Sequence, residues 1–188
     1  MMNKDMRPEA DFDAIVENDL ARETLTDLDL MPSAWDLPED EQRRILHRGV
    51  SLLALPTLDD SNWPVFENNG LVTFAADAFV SSGLSRDQAI ATLLHEIGHR
   101  VNPLPYMEAI TAELSKIGAD QATKPPNRDE LFADDYVRHC GYSKHLLSAL
   151  RLLTAEHESF QTRSTTDRIT RLESDGQPRL LNLTPLPN

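Results

Sequence analysis

The apolar positions along this chain change their period several times, and each change marks an element. Ile15, Leu20, Leu25, Leu28 and Leu30 recur loosely at helical spacing among Asp5, Glu9, Asp11, Asp13, Glu17, Asp19, Glu23, Asp27 and Asp29. That pattern predicts a solvated acidic arm over 1–35 carrying one or two helices. Ile45, Leu46, Val50 and Leu53 then supply one apolar face, which predicts a helix over 38–54. Pro38 suits its first turn and Asp36 is a candidate cap. From Trp63 the period falls to two. Pro64-Val65-Phe66-Glu67 and Leu71-Val72-Thr73-Phe74 flank Asn68-Asn69-Gly70, whose Asn-Gly step is a hairpin turn signal.

Helical spacing returns with Ile90, Leu93, Leu94, Ile97 and Val101. Ser85 and Gln88 form a capping box ahead of this stripe and Pro103 stops it, so a helix is predicted over 86–101. Tyr106 to Ile117 predicts another, closed by Gly118, followed by a loop from Gln121 to Pro126. Asn127-Arg128-Asp129-Glu130 opens the next, with Leu131, Ala133, Tyr136 and Val137 as its apolar members and Gly141 at its end. Leu146, Leu147, Leu150 and Leu153 mark a helix over 143–154, and a short one falls near Asp167–Leu172. The Pro-containing stretch 175–188 reads as an extended tail. The expected organisation is an acidic arm over 1–35, one domain over 36–174, and a tail over 175–188. The fold class is α+β and mostly helical, with a small β-hairpin or sheet beside the 86–101 helix.

Charge and cysteine content narrow the partners. The 188 residues carry a formal net charge of −13. Nucleic-acid binding needs a basic surface to neutralise phosphates, and anionic membranes ask the same, so neither is expected. With Cys140 as its one cysteine, the chain can form no internal disulfide, which suits a reducing compartment. Met1 to Pro8 contains no apolar run of a signal peptide, and no stretch approaches the ~18 apolar residues of a membrane span. A cytoplasmic location is expected. The oligomeric state is left open.

The candidate chemistry lies in His95-Glu96-Ile97-Gly98-His99, an H-E-x-x-H pattern on the predicted 86–101 helix. Residues four apart on a helix share a face about one turn, ~5.4 Å, apart, so both imidazoles can reach one metal ion. Glu96, directly after the first, can reach a water on that metal without ligating it. One Zn²⁺ suits the site, because it takes imidazole nitrogen and carboxylate oxygen in a tetrahedron and leaves a position for water. The third ligand must come from another element. Glu130 is the best candidate, with Asp134 one turn later to accept a hydrogen bond from the far nitrogen of a ligand histidine. Ala133 between them is small enough to let two helices approach. Glu108, Glu113, His139 and His145 remain alternatives, and Asn127-x-x-Glu130 also reads as a capping box. Ahead of the metal helix, Leu71, Val72, Thr73, Phe74 and Ala75 could form an edge strand that binds a peptide by β-addition, or simply belong to the core sheet.

His-Glu-Ile-Gly-His followed by Glu130-Leu131-Phe132-Ala133-Asp134 resembles the gluzincin metallopeptidases. It looks most like the family of the CAAX prenyl protease and the bacterial heat-shock membrane peptidases. Val65-Phe66, Gly70-Leu71-Val72-Thr73 and Leu84 follow that family's order of hairpin then metal helix. Ala133-Asp134-Asp135-Tyr136, Gly141-Tyr142 and Leu146-Leu147-Ser148-Ala149-Leu150 resemble its segment after the third ligand. Asp167-Arg168-Ile169-Thr170-Arg171-Leu172 resembles its closing helix, so the likeness spans about 63–172. It implies a zincin-like minimal metallopeptidase, Glu130 as the third ligand, a peptide or protein substrate, and hydrolysis with Glu96 as general base. Among the possible oxyanion donors Tyr136, His139, His145 and Arg168, it favours Arg168. Two departures stand out. Ser164-Thr165-Thr166 occupies the place of the family's His-Pro, and its membrane helices are missing. Prophage-immunity metallopeptidases carry a similar pair of motifs. A binding module or a repressor-cleaving regulator on the same fold is the alternative expectation.

Overall fold

The structure is a computed structural model and describes residues 11–57, 65–68, 70–101, 128–156 and 162–174. After a 3-10 turn at Phe12–Ile15 the elements run α1 (Asp19–Asp27), a second 3-10 turn (Pro32–Ala34), α2 (Glu39–His47), β1 (Ser51–Leu55), β2 (Val65–Asn68), β3 (Leu71–Ala75) and α3 (Ala76–Ser81). Then follow α4 (Arg86–Val101), α5 (Arg128–His139), α6 (Ser143–Glu156) and α7 (Arg163–Glu173). The class is α+β and mostly helical, as expected. The predicted helix 106–117, the loop 121–126 and the tail 175–188 lie outside the described residues, together with Glu108 and Glu113.

The metal-motif helix α4 runs where the sequence places it. Ser85 accepts from the Gln88 amide through its hydroxyl (3.4 Å), and the Gln88 side chain accepts from the Ser85 amide (2.7 Å), the reciprocal pair of a capping box. Every residue from Ala89 to Gly98 is buried, so α4 passes through the middle of the core instead of lying on it. Its most extensive contact is with α5, and it also packs on α6 and β2. The hairpin is equally regular. Asn68 pairs with Leu71 across the turn, where Gly70 takes the positive φ of 90° that glycine tolerates without strain.

Three expectations are corrected. The helix over 38–54 ends at His47. Gly49, at φ 63°, turns the chain out of the helix; Val50 is buried just ahead of β1, in which Leu52 and Ala54 then alternate inward. Val50 happens to continue the spacing of Ile45 and Leu46, which hid the change of period. Next, of the two readings of Leu71, Val72, Thr73, Phe74 and Ala75, core sheet holds and the peptide-binding edge strand does not. The sheet order is β1-β3-β2, with β1 parallel and β2 antiparallel to β3, so both ladders of β3 are taken. Finally, residues 11–35 are no solvated arm. Phe12, Ile15, Val16, Ala21, Leu25, Leu30 and Trp35 belong to the main hydrophobic cluster, while Asp11, Glu17, Asp19, Glu23 and Asp27 stay exposed.

Asn18 shows how firmly this segment is joined. Its Oδ1 caps α1 by accepting from the Ala21 amide (3.0 Å) and also accepts from the Ala54 amide (3.1 Å). Its Nδ2 donates to the Ala54 carbonyl (2.8 Å). With the Val16–Leu52 bridge, this closes the outer side of β1. Among the described residues, the sheet side left without a strand is the outer side of β2.

Candidate metal centre

Three helices build the site. His95 and His99, one turn apart on α4, stand edge to face with ring centroids 4.9 Å apart. Glu130 enters from the first turn of α5. Candidate ligand atoms of His95, His99 and Glu130 all lie within 4.8 Å of one another, a group that could hold a metal ion. Glu130 Oε2 is 3.1 Å from His95 Nε2, and Oε1 is 3.9 Å from His99 Nε2. On its other side His95 Nδ1 is 3.0 Å from Asp134 Oδ1. One nitrogen of that ring thus faces the Glu130 side of the cluster while the other donates to a buried carboxylate. That division fixes the tautomer a metal ligand needs.

Arg168 on α7 completes the surroundings. Its Nε and Nη2 donate to the two oxygens of Asp134 at 2.9 and 2.8 Å. Nη1 is 2.8 Å from Glu130 Oε2. This forked pairing suits guanidinium geometry. His95, Glu96, Asp134 and Arg168 are buried, whereas the His99 and Glu130 side chains retain 13% and 27% exposure, so the cluster opens to solvent on their side.

The electrostatics follow from this packing. Burial and the Arg168 guanidinium push the His95 pKa down, but hydrogen bonds to Asp134 and Glu130 outweigh both and raise it from 6.5 to about 9. Burial alone would raise the Glu130 carboxyl; the His95 hydrogen bond, then the charges of His95, Arg168 and His99, hold it far below the usual carboxylate range. Asp134 is likewise held low against its burial, chiefly by Arg168 and His95. Both carboxylates are therefore ionised. Glu96 lies close enough for its charge to help hold the proton on Arg168.

The donor set suits a divalent ion that takes imidazole nitrogen and carboxylate oxygen. Two imidazoles and one ionised carboxylate converge, and a second carboxylate orients one of the rings.

No protein-family model matches this chain, and neither a curated protein nor a solved structure does.

The remaining candidates fall elsewhere. Tyr136 is fully buried and donates to Glu41 Oε2 on α2 (3.3 Å), and His139 Nε2 sits 3.2 Å from Glu41 Oε1. His145 Nε2 lies 3.8 Å from Asp87. Cys140 is buried; mainly through burial its thiol is pushed up to about 12, which leaves it protonated at neutral pH. Among the described residues no helix is long and apolar enough to cross a membrane. Gly98, to which the sequence pattern assigns no role, faces the backbone of Ala133 across the α4–α5 crossing. A glycine in the middle of an otherwise good helix was the available signal, since it costs about 1 kcal/mol relative to alanine.

Proposed function

We propose that the chain is a zinc-dependent endopeptidase, with His95, His99 and Glu130 as the metal ligands and Glu96 as general base. The observation that carries this reading is the arrival of Glu130, from a separate helix, at both imidazoles of the H-E-x-x-H pair. When bound there, zinc supplies Lewis acidity, lowering the pKa of a water toward ~7 and polarising a peptide carbonyl.

The chain's own residues do the rest. Glu96 takes a proton from the attacking water as its oxygen bonds to the carbonyl carbon. It then hands that proton to the amine nitrogen as the C–N bond breaks. Asp134 accepts from His95 Nδ1 and keeps Nε2 turned toward the ligand cluster. Arg168, with its nitrogens directed at Asp134 and Glu130, serves to hold both carboxylates in place. An extended peptide would add to the outer side of β2 (Val65–Asn68), which packs on α4, in place of the closed strand β3.

Comparison of Glu96→Gln with wild type, both carrying zinc, tests the reading. Wild type should hydrolyse labelled unfolded casein, and the variant should keep one zinc while losing 10²-fold or more of the rate. Undiminished cleavage by Glu96→Gln would remove the assigned base. Unchanged biological function in that variant would favour a binding module on this fold.

A further inference from the structure

We infer that Gly98 is a positioning residue of the metal centre, because its missing side chain sets how closely α5 approaches α4 and hence where Glu130 meets the two histidines. The inference rests on the metal-centre reading above and adds to it the device that fixes the ligand spacing.

A Cβ at position 98 would lie 3.0 Å from Ala133 Cα, 3.1 Å from Ala133 O and 3.1 Å from Tyr136 Cβ. Two of these atoms are helix backbone, which cannot rotate aside as the end of a side chain can. Relief therefore requires α5 to move relative to α4. The least movement is about 0.4 Å, the gap between 3.0 Å and the 3.4 Å at which ordinary van der Waals contact begins. Ala133 lies between Glu130 and Asp134 on α5, so the carboxylate of the ligand set and the carboxylate that orients His95 would both move with it. Metal–ligand distances hold to within about 0.2 Å, so such a shift is large for coordination although small for packing.

Conformation gives no competing reason for the glycine. Gly49, Gly70, Gly83 and Gly141 all have positive φ and serve turns; Gly98 does not, and sits inside a regular helix. There alanine would be favoured by roughly 0.5–1 kcal/mol on backbone entropy. What Gly98 provides is space, at one point, next to His99.

The test uses the full chain, stripped of metal and titrated with zinc against a competing chelator, and with Co²⁺ followed by its visible absorption. Leu153→Ala, a core cavity in α6, serves as a control for lost stability. Gly98→Ala should keep its helical circular dichroism, raise the zinc Kd tenfold or more, as loss of groups supporting a metal ligand does, and alter the Co²⁺ spectrum. Leu153→Ala should leave Kd and spectrum unchanged at a comparable loss of thermal stability. Wild-type Kd and spectrum in Gly98→Ala would overturn the proposal. Should that variant not fold, Ala133→Ser adds an atom at the same fully buried crossing, and a wild-type Kd there would overturn it equally. Failure of wild type itself to bind zinc would instead count against the metal-centre reading.

Discussion

His95 is the residue on which the other charges of the site converge. Asp134 and Glu130 hold its two nitrogens, and their combined pull defeats both burial and the adjacent Arg168. Without metal, the folded-state pKa of about 9 exceeds the ordinary value of 6.5. Protonated His95 therefore stabilises the fold fully below about pH 6.5, and this contribution is lost as pH rises through about 9. The proposed zinc would need the neutral ring, so binding would expel that proton and the apparent affinity should climb over the same interval. Calorimetric titration near pH 7.5 in buffers of different ionisation enthalpy should report about one proton released from His95 per zinc. Affinity independent of pH from 6.5 to 9 would contradict the assignment. At this scale the sequence was highly legible. The spacing of His95, Glu96 and His99 and the four-residue step from Glu130 to Asp134 are local signals. The part played by Arg168 was not, since nothing near it in the chain announces two carboxylates on another helix.

Elements were legible where their ends carry specific chemistry. Ser85 with Gln88, and Gly141 at φ 87°, bound their helices as read. The start of α7 was missed, because Thr162 caps it through the Thr165 amide (3.1 Å) from within a Ser/Thr run that reads as loop. The hairpin was legible, but the third strand, β1, was read as the end of a helix, because its place is set by pairing with β3 some twenty residues away. Asn18 is the strongest single point at this scale, since one amide both caps α1 and stands in for a strand against Ala54. Asn18→Ala should lower stability by about 2 kcal/mol, at the upper end for lost caps, as measured by urea unfolding. A loss under about 0.5 kcal/mol would show that the β1 edge does not depend on it.

Over the whole molecule, the acidic composition of residues 11–35 concealed their place in the core. The acids occupy the outer face and the apolar residues the inner one, and composition averages the two. Arg86, the first residue of α4, reinforces the join by donating from Nε to the Asp29 carbonyl (2.9 Å) and from Nη2 to the Ala34 carbonyl (2.7 Å). Removal of residues up to 35 should therefore abolish cooperative unfolding instead of unmasking an active core, because it strips Phe12, Leu25, Leu30 and Trp35 from the cluster. A truncated chain with a wild-type melting transition would refute this.

The proposed metal centre depends on α5 delivering a ligand to α4. Zinc content after dialysis, measured on wild type beside His95→Ala and Glu130→Ala, tests that most directly. One zinc per wild-type chain, lost from both variants, is the expected result; a Glu130→Ala variant that holds zinc as tightly as wild type would contradict it.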